Sequence, residues 1–561
     1  MAGFEWKSYE VAADRSPGSF AEIAPEDELA RDTVMVELPD LDAFPTPLAK
    51  AEILLQSACE VEHALMVQYL YSAYSLKAPA EVSDPGQRKV LSETSAKGWP
   101  HTLLTVAREE MGHLMSVENM LLLLGLAPNF EREDFPPPNA FYPFPLHLEP
   151  LTQRSLAKYV VAEAPSGAVD IDDIVALAGD ASGTTINRVG ILYGLLGLIF
   201  AAPDEVQSGA TGDSDWDVVV RGLSDAAFQQ APADAWHLPD DAFHPDSVAR
   251  QGDPDDWQVS QLRVFRMADR AAALHAIRDI GEQGEGAPGG GELSHFARFL
   301  GIYRGADGAV AFPPAGGSWV PARDVPTDLR LQDVTVARTR RWVELADLRY
   351  ALLLGFLEHY LLMATDRRSV LIGWIFAEMR SNLGYIARQL TSMPRAGAQA
   401  GAAPVAATAF TLPAELHLPA DEPARWELHR RRTEQSVAKV QEMQAAGEDA
   451  GNIYLSDLLE ADRARLALMS QPPPAGPIPT SYARDIRPLF RQKDIDHMND
   501  QGLDLRVHEV VADTDPDNAN AILERVRPAP GVGPMPPPND QRWTAAQAAL
   551  FERWIAEGRL P

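Results

Sequence analysis

Apolar residues recur at steps of three and four along two stretches near the amino-terminal end, and in both the apolar stripe is broken by ionisable side chains. In the first, Leu55, Ala58, Glu62, Leu65 and Tyr69 share one helical face; in the second, the face reads Leu103, Val106, Glu110, His113, Val117, Met120, Leu124. The spacing predicts long helices over 47–77 and 98–126, joined by a Pro/Gly/Asp-containing connection and folded as an antiparallel hairpin. Glu60 lies about 200° from Glu62 on such a helix, and His63 is turned one step off the face and is not read as a ligand. Burying an uncompensated charge costs on the order of several kcal/mol. A glutamate and a histidine one turn apart on a core face therefore need a partner, either a set of hydrogen bonds or, more economically, a metal ion.

Downstream, helical periodicity predicts elements near 151–162, 185–202, 257–284, 293–304, 338–364 and 368–392, with irregular insertions near 203–255 and 305–335. Residues 1–45 are acidic and proline-punctuated, an arm without helical period. Between the second and third helices, Phe135 to Pro145 is too rich in proline for helix, and its aromatics suggest an ordered loop over the bundle that could wall a pocket. An Ala/Gly/Pro stretch ends the domain near residue 400. Alternating charges over Glu422–Glu460 then predict one or two solvated peripheral helices, and Gln471–Thr480 reads as a stiff linker to a last small domain at 481–561.

Composition narrows the function. The chain has 561 residues, 46% hydrophobic and 23% charged, which suits a soluble protein of two or three domains. A formal charge of −31 argues against nucleic acid and anionic lipid as partners. The single cysteine, Cys59, excludes an internal disulfide and a Cys-x-x-Cys-His haem attachment and reads as a small buried residue. No signal peptide is visible and the apolar run 191–202 is too short to span a bilayer, so a cytoplasmic location is expected.

A second cluster of chemistry lies at 280–300, where a helix ends in glycine and a new one opens with Glu292-x-x-His295. Alone it is weak, because glycine runs are usually turns and a glutamate near a helix start usually answers the macrodipole. Inward carboxylates from one helix and a Glu-x-x-His from its neighbour are, however, how ferritin-like bundles hold two metal ions. The runs 62–71 (EHALMVQYLY), 108–114 (REEMGHL), 281–286 (GEQGEG) and 294–299 (SHFARF) together resemble the ferritin-like family of iminophenyl-pyruvate dimer synthases, known from violacein and indolocarbazole biosynthesis, over residues 46–400.

The resemblance implies a mainly α, ferritin-like bundle in which Glu62, Glu110, His113, Glu285 and His295 bind metal, with Glu282 and Glu292 as second choices. It departs from the family at Ile191, in Gly190-Ile-Leu-Tyr193, where a carboxylate is expected; the site is then mononuclear, asymmetric, or completed by Glu282. Tyr69, on the face of Glu62, is the candidate catalytic residue, to hydrogen-bond a ligand or carry an oxidising equivalent, with an ordinary core tyrosine as its plainer reading.

The segment 481–561 resembles a small class I cytochrome c domain without its haem-attaching cysteines, suited to packing or to a protein partner; noncovalent haem on His497 and Met535 is the alternative. The reading that follows is a metal-dependent oxidoreductase of specialised metabolism. It uses one or two non-haem iron ions, or manganese or copper, with dioxygen or peroxide, on a small amino-acid-derived or aromatic substrate, and imine oxidative coupling is the named possibility. The rivals are a ferritin-like metal-storage protein and an accessory scaffold without turnover.

Overall fold

A computed structural model of the chain describes residues 6–12, 33–132, 135, 141, 144, 146–165, 168, 170–179, 189–202, 236–257, 262–284, 293–305, 310–317, 319–363, 368–397, 404–469, 480, 482, 486–490, 492–499, 501–527, 543 and 545–560. Among them the fold is mainly helical. Helix α1 (Pro47–Ser75) starts at Thr46, whose side chain accepts from the Ala49 amide, with Pro47 in the first turn. After the short α2 (Pro85–Val90), α3 (Trp99–Leu123) packs along α1. The two run antiparallel, since Cys59 lies beside Glu118 and Glu62 beside His113. Around this hairpin come α4 (Gln153–Ala162), α5 (Asp172–Ala178), α6 (Val189–Phe200), α7 (Arg270–Gly284) and α8 (His295–Arg304). Helix α6 packs on α1 and α7, and α8 packs on α4.

The helix expected from 257 begins only at Arg270. Leu262 and Val264 are buried while Arg263 and Phe265 between and after them are half-buried, a period of two rather than 3.6. This extended segment runs along α3. Ser116 accepts from the Phe265 amide (3.0 Å) and the Asn119 amide donates to the Phe265 carbonyl (2.8 Å). Gly112 permits the approach, because a β-carbon there would meet the Arg263 carbonyl oxygen at 2.4 Å. The amino-terminal arm contains an antiparallel pair, β1 (Trp6–Ala12) and β2 (Thr33–Pro39), with Trp6 opposite Pro39 and Ala12 opposite Thr33.

Helix α9 (Ala337–Leu362) is followed by α10 (Ser369–Phe376), a π-helical turn (Ala377–Leu383) and α11 (Gly384–Leu390), so the helix expected over 368–392 is interrupted. The π turn carries the buried Glu378. Arg349 donates through Nε to Glu378 (2.7 Å) and through Nη1 to Asp462 (2.6 Å) and Ser436 (3.0 Å), while Arg465 donates to Glu378 (2.5 Å). Asp462 and Arg465 lie on α13 (Ile453–Met469) and Ser436 on α12 (Glu422–Ala445). The helices expected to be peripheral are thus locked to α9 through buried charge, and Val440, Met443, Leu455 and Leu458 join the main core. A second contact on this seam is a row of side chains in which His359 shares hydrogen bonds with His429 (3.0 Å) and Glu422 (3.1 Å).

Residues from 480 onward form α14 (Gln492–Asn499), α15 (His508–Val511), α16 (Asn518–Val526) and α17 (Ala545–Ala556) around a core of their own that includes Tyr482, Phe490, Trp543, Phe551 and Trp554. Arg487 pairs with Asp457 of α13, and Arg380 donates to Gln547 (2.8 Å), joining this module to the bundle. His497 is exposed, and Met535 lies outside the described residues. Among the described residues no helix is long and apolar enough to cross a membrane.

Two outcomes follow for the α9 seam. Replacing Arg349 by Met leaves the buried Glu378 and Asp462 with Arg465 alone as the cation that the described contacts supply, and should lower stability by about 3–5 kcal/mol in urea denaturation. Burial holds the His359 and His429 imidazoles below the ordinary 6.5. At these two positions the unfolded chain binds more protons in acid, so their contribution to stability should fall as pH drops below about 6.5, by about 1.4 kcal/mol per pH unit for each proton taken up. Thermal melts across this range should show a shallower fall for His429→Asn than for the natural chain.

Candidate metal centre

Five ionisable side chains converge in the core of the first bundle, none more than 5% exposed: Glu62 of α1, Glu110 and His113 of α3, Glu163 at the end of α4, and His295 at the start of α8. Glu62, Glu110 and His113 offer ligand atoms all within 4.8 Å of one another, and Glu110, Glu163 and His295 do the same. Glu110 is common to both triads. His113 Nδ1 lies 2.9 Å from Glu110 Oε2 and 3.4 Å from Glu62 Oε2. His295 Nδ1 lies 3.1 Å from Glu110 Oε1 and 3.6 Å from Glu163 Oε2. The two imidazoles face each other, ring centres 5.6 Å apart and planes inclined by 29°.

Helix geometry sets these positions. Glu62, Glu110 and His113 are mid-helix, whereas Glu163 caps the end of α4 and His295 is the first residue of α8, fixed by Ser294, whose hydroxyl accepts from the Ala297 amide. Each terminal carboxylate takes a tyrosine hydroxyl. Tyr69 donates to Glu163 Oε1 (2.5 Å) and Tyr193 donates to Glu62 Oε1. The outward imidazole nitrogens are also held: His113 Nε2 meets Gln283 Oε1 (3.1 Å), and His295 Nε2 meets Glu109 Oε2 (3.0 Å), which Arg298 also holds at 2.6 Å. With Nε2–H donating outward, each Nδ1 faces the cluster and offers its lone pair there once it is deprotonated.

The donor set fits a metal ion. Glu62 Oε2, Glu110 Oε1 and His295 Nδ1 are buried with no hydrogen-bond partner, and all three belong to the triads. Mixed carboxylate and imidazole donors suit iron or manganese. Burial raises the Glu62 carboxyl to about 7 against the opposing pull of the His113 imidazole 3.4 Å away. Burial disfavours imidazolium at His113, but Glu110 and Glu62 win and raise it to about 10. At His295 a helix start costs the cation roughly 0.3–1 kcal/mol, less than charge-assisted hydrogen bonds worth about 1.5–3 kcal/mol each. Burial opposes the cation there too, yet the charge on Glu110, with Glu109, raises it well above the ordinary range. Glu110 is correspondingly pushed down: burial acts against this, and the charge on His295 and the hydrogen bond to His113 prevail.

Of the sequence-derived candidates, the structure brings together Glu62, Glu110, His113 and His295, with Tyr69 on Glu163. Glu285 and Glu292 lie outside the described residues, as do most of 135–145, of which Phe135, Phe141 and Phe144 are buried. Ile191 is buried in α6 and offers no ligand. The carboxylate expected near it comes instead from Glu163, and α6 contributes Tyr193 two residues on. Sequence reading missed Glu163, Glu109, Gln283 and Tyr193; the signal for Glu109 was its place beside Glu110 in a doubled acidic pair. His63 meets the Tyr350 hydroxyl and Cys59 is buried beside Glu118, and neither belongs to a triad.

A ferritin-like family model matches residues 55–304, which contain all five side chains, and this part of the chain is a ferritin-like domain. Over 267 residues the chain is 27% identical to a dichlorochromopyrrolate synthase of Lentzea aerocolonigenes; the match takes in 44% of this chain and spans 23% of that protein's length. No solved structure matches.

The protonation pattern has a measurable sign. Glu62 holds its proton up to about 7 and His113 up to about 10, and both must lose it to present a lone pair. A divalent cation should therefore bind more tightly as pH rises through this interval, with proton release, seen by calorimetry in buffers of different ionisation heat.

Proposed function

We propose that the chain is a metal-dependent oxidoreductase of specialised metabolism that holds non-haem iron, as one or two ions, between the two triads. The observation that carries the reading is the convergence of Glu62, Glu110, His113, Glu163 and His295, with three unpartnered ligand atoms, inside a ferritin-like domain. Similarity to a dichlorochromopyrrolate synthase supports a biosynthetic role and a small aromatic or amino-acid-derived substrate, with oxidative coupling of imines as the reaction class. Glu285 stays with the ligand set as the resemblance's candidate. Bound iron would supply one-electron chemistry and open positions for dioxygen or peroxide beside the substrate.

The chain's own residues supply orientation and proton control. The hydroxyls of Tyr69 and Tyr193 occupy one oxygen each of Glu163 and Glu62, which fixes the carboxylate planes and leaves the second oxygens inward. Burial and the charge on Glu163 hold the Tyr69 proton well above its ordinary range, so Tyr69 serves as a donor of hydrogen rather than a base. Phe135, Phe141 and Phe144, buried in the described part of the proline-rich segment, help to exclude water from the bundle. The carboxy-terminal module, with its own core, is read as a haem-less cytochrome c-like unit for a protein partner. A cytoplasmic setting belongs to the same reading, consistent with a lone cysteine.

Protein purified without chelator should carry metal by plasma mass spectrometry, and Glu110→Ala, which removes the ligand common to both triads, should lower it to about a tenth or less. Oxygen uptake with imines of aromatic amino acids should fall in parallel. Metal content that is low in the natural chain and unchanged in Glu110→Ala would overturn the assignment. Metal without turnover across such a panel would favour storage.

A further inference from the structure

We infer that the two triads are unequal, and that a divalent first-row cation loads the Glu163/His295 half before, and more tightly than, the Glu62/His113 half. The inference rests on the metal reading above. Much of the cluster is matched across the two halves: Glu110 is shared, and Glu62 and Glu163 each take one tyrosine hydroxyl. The imidazoles are where the halves differ, in two independent ways.

The first difference is what lies behind each ring. His113 Nε2 meets the neutral side-chain amide of Gln283, whereas His295 Nε2 meets the carboxylate of Glu109. A carboxylate behind an imidazole raises the electron density on the other nitrogen and fixes the tautomer that presents it, and a neutral amide does so less. Glu109 is itself pinned by Arg298, one turn beyond His295 on α8, whose Nε is in turn tied to the Leu293 carbonyl at 2.8 Å. Glu109, Arg298 and His295 thus form a closed and rigid support. Glu109 is a positioning residue, acting through His295.

The second difference is what each inward nitrogen does without metal. His113 Nδ1 is hydrogen-bonded to Glu110 Oε2 at 2.9 Å, and a cation must break that contact to reach it. His295 Nδ1, although 3.1 Å from Glu110 Oε1, has no hydrogen-bond partner in the described structure. At His113 a cation displaces a formed hydrogen bond, and at His295 it displaces an ion contact that lacks hydrogen-bond geometry.

The test is an anaerobic titration of the metal-free full chain with Co(II), read by visible absorption and calorimetry, in the natural sequence and in the near-isosteric variants Glu109→Gln and Gln283→Glu. The natural chain should show two steps about tenfold or more apart in affinity. Glu109→Gln should weaken the tight step by about 10–100-fold with little change in the weak one, and Gln283→Glu should tighten the weak step and narrow the gap. His113→Ala should keep the tight step and His295→Ala lose it, and circular dichroism of each metal-free variant confirms that it is folded. Two equal steps, or a tight step lost with His113, would overturn the order of loading while leaving the metal reading intact. No Co(II) bound by the natural chain would overturn both.

Discussion

The structure turns on a single electrostatic constraint: carboxylates and imidazoles that would prefer water are held in the middle of a helical core. Glu62, Glu109, Glu110 and Glu163 face His113 and His295 with Arg298 the cation that the described contacts supply, and none of these carboxylates is more than 5% exposed. Such an arrangement persists only if nearly every lone pair and proton is answered, because removing one partner exposes the full desolvation cost of the other. The surrounding helices supply these answers. Tyrosines from α1 and α6 cap one oxygen of each terminal carboxylate, Gln283 and Glu109 hold the outer imidazole nitrogens, and the unanswered atoms are those that point at one another.

The helical frame was largely legible in the sequence because long amphipathic helices announce themselves by their period. Both ends of α1 and α3 fall within about three residues of where the apolar stripe places them, and the inward positions of Glu62, Glu110 and His113 are those the stripe dictates. Errors arise where a different rule governs. Residues 262–265 carry a two-residue alternation that reads as helix when averaged into the helix following it, and the π turn at 377–383 carries a buried ion pair invisible to local periodicity.

The unread part of the candidate metal centre has the same explanation. Glu163 sits just past the last turn of α4, where helical phase no longer predicts direction, and tertiary contacts with Tyr69 of α1 and His295 of α8 hold it at the cluster. Glu109 is off the apolar stripe of the α1 and α3 hairpin and is buried because α8 covers that side. Tyr193 lies in a helix apolar on every side, whose period offers no phase at all. Resemblance to known sequences supplied His295, which spacing alone would have left among ordinary helix-start residues.

The ion network around Arg349 bears on how this chain divides. The ferritin-like match ends at residue 304, yet α9 binds back to the hairpin, with Tyr350 on His63, while Arg349 ties α9 to the π turn and to α12 and α13. Tyr71 reaches the Pro326 carbonyl, and Arg388 holds Glu93 at 2.8 Å. A gene fragment cut at the limit of family similarity would therefore leave His63 and one face of α1 bare. The segment that the family resemblance covers is smaller than the segment whose side chains pack and hydrogen-bond as one body.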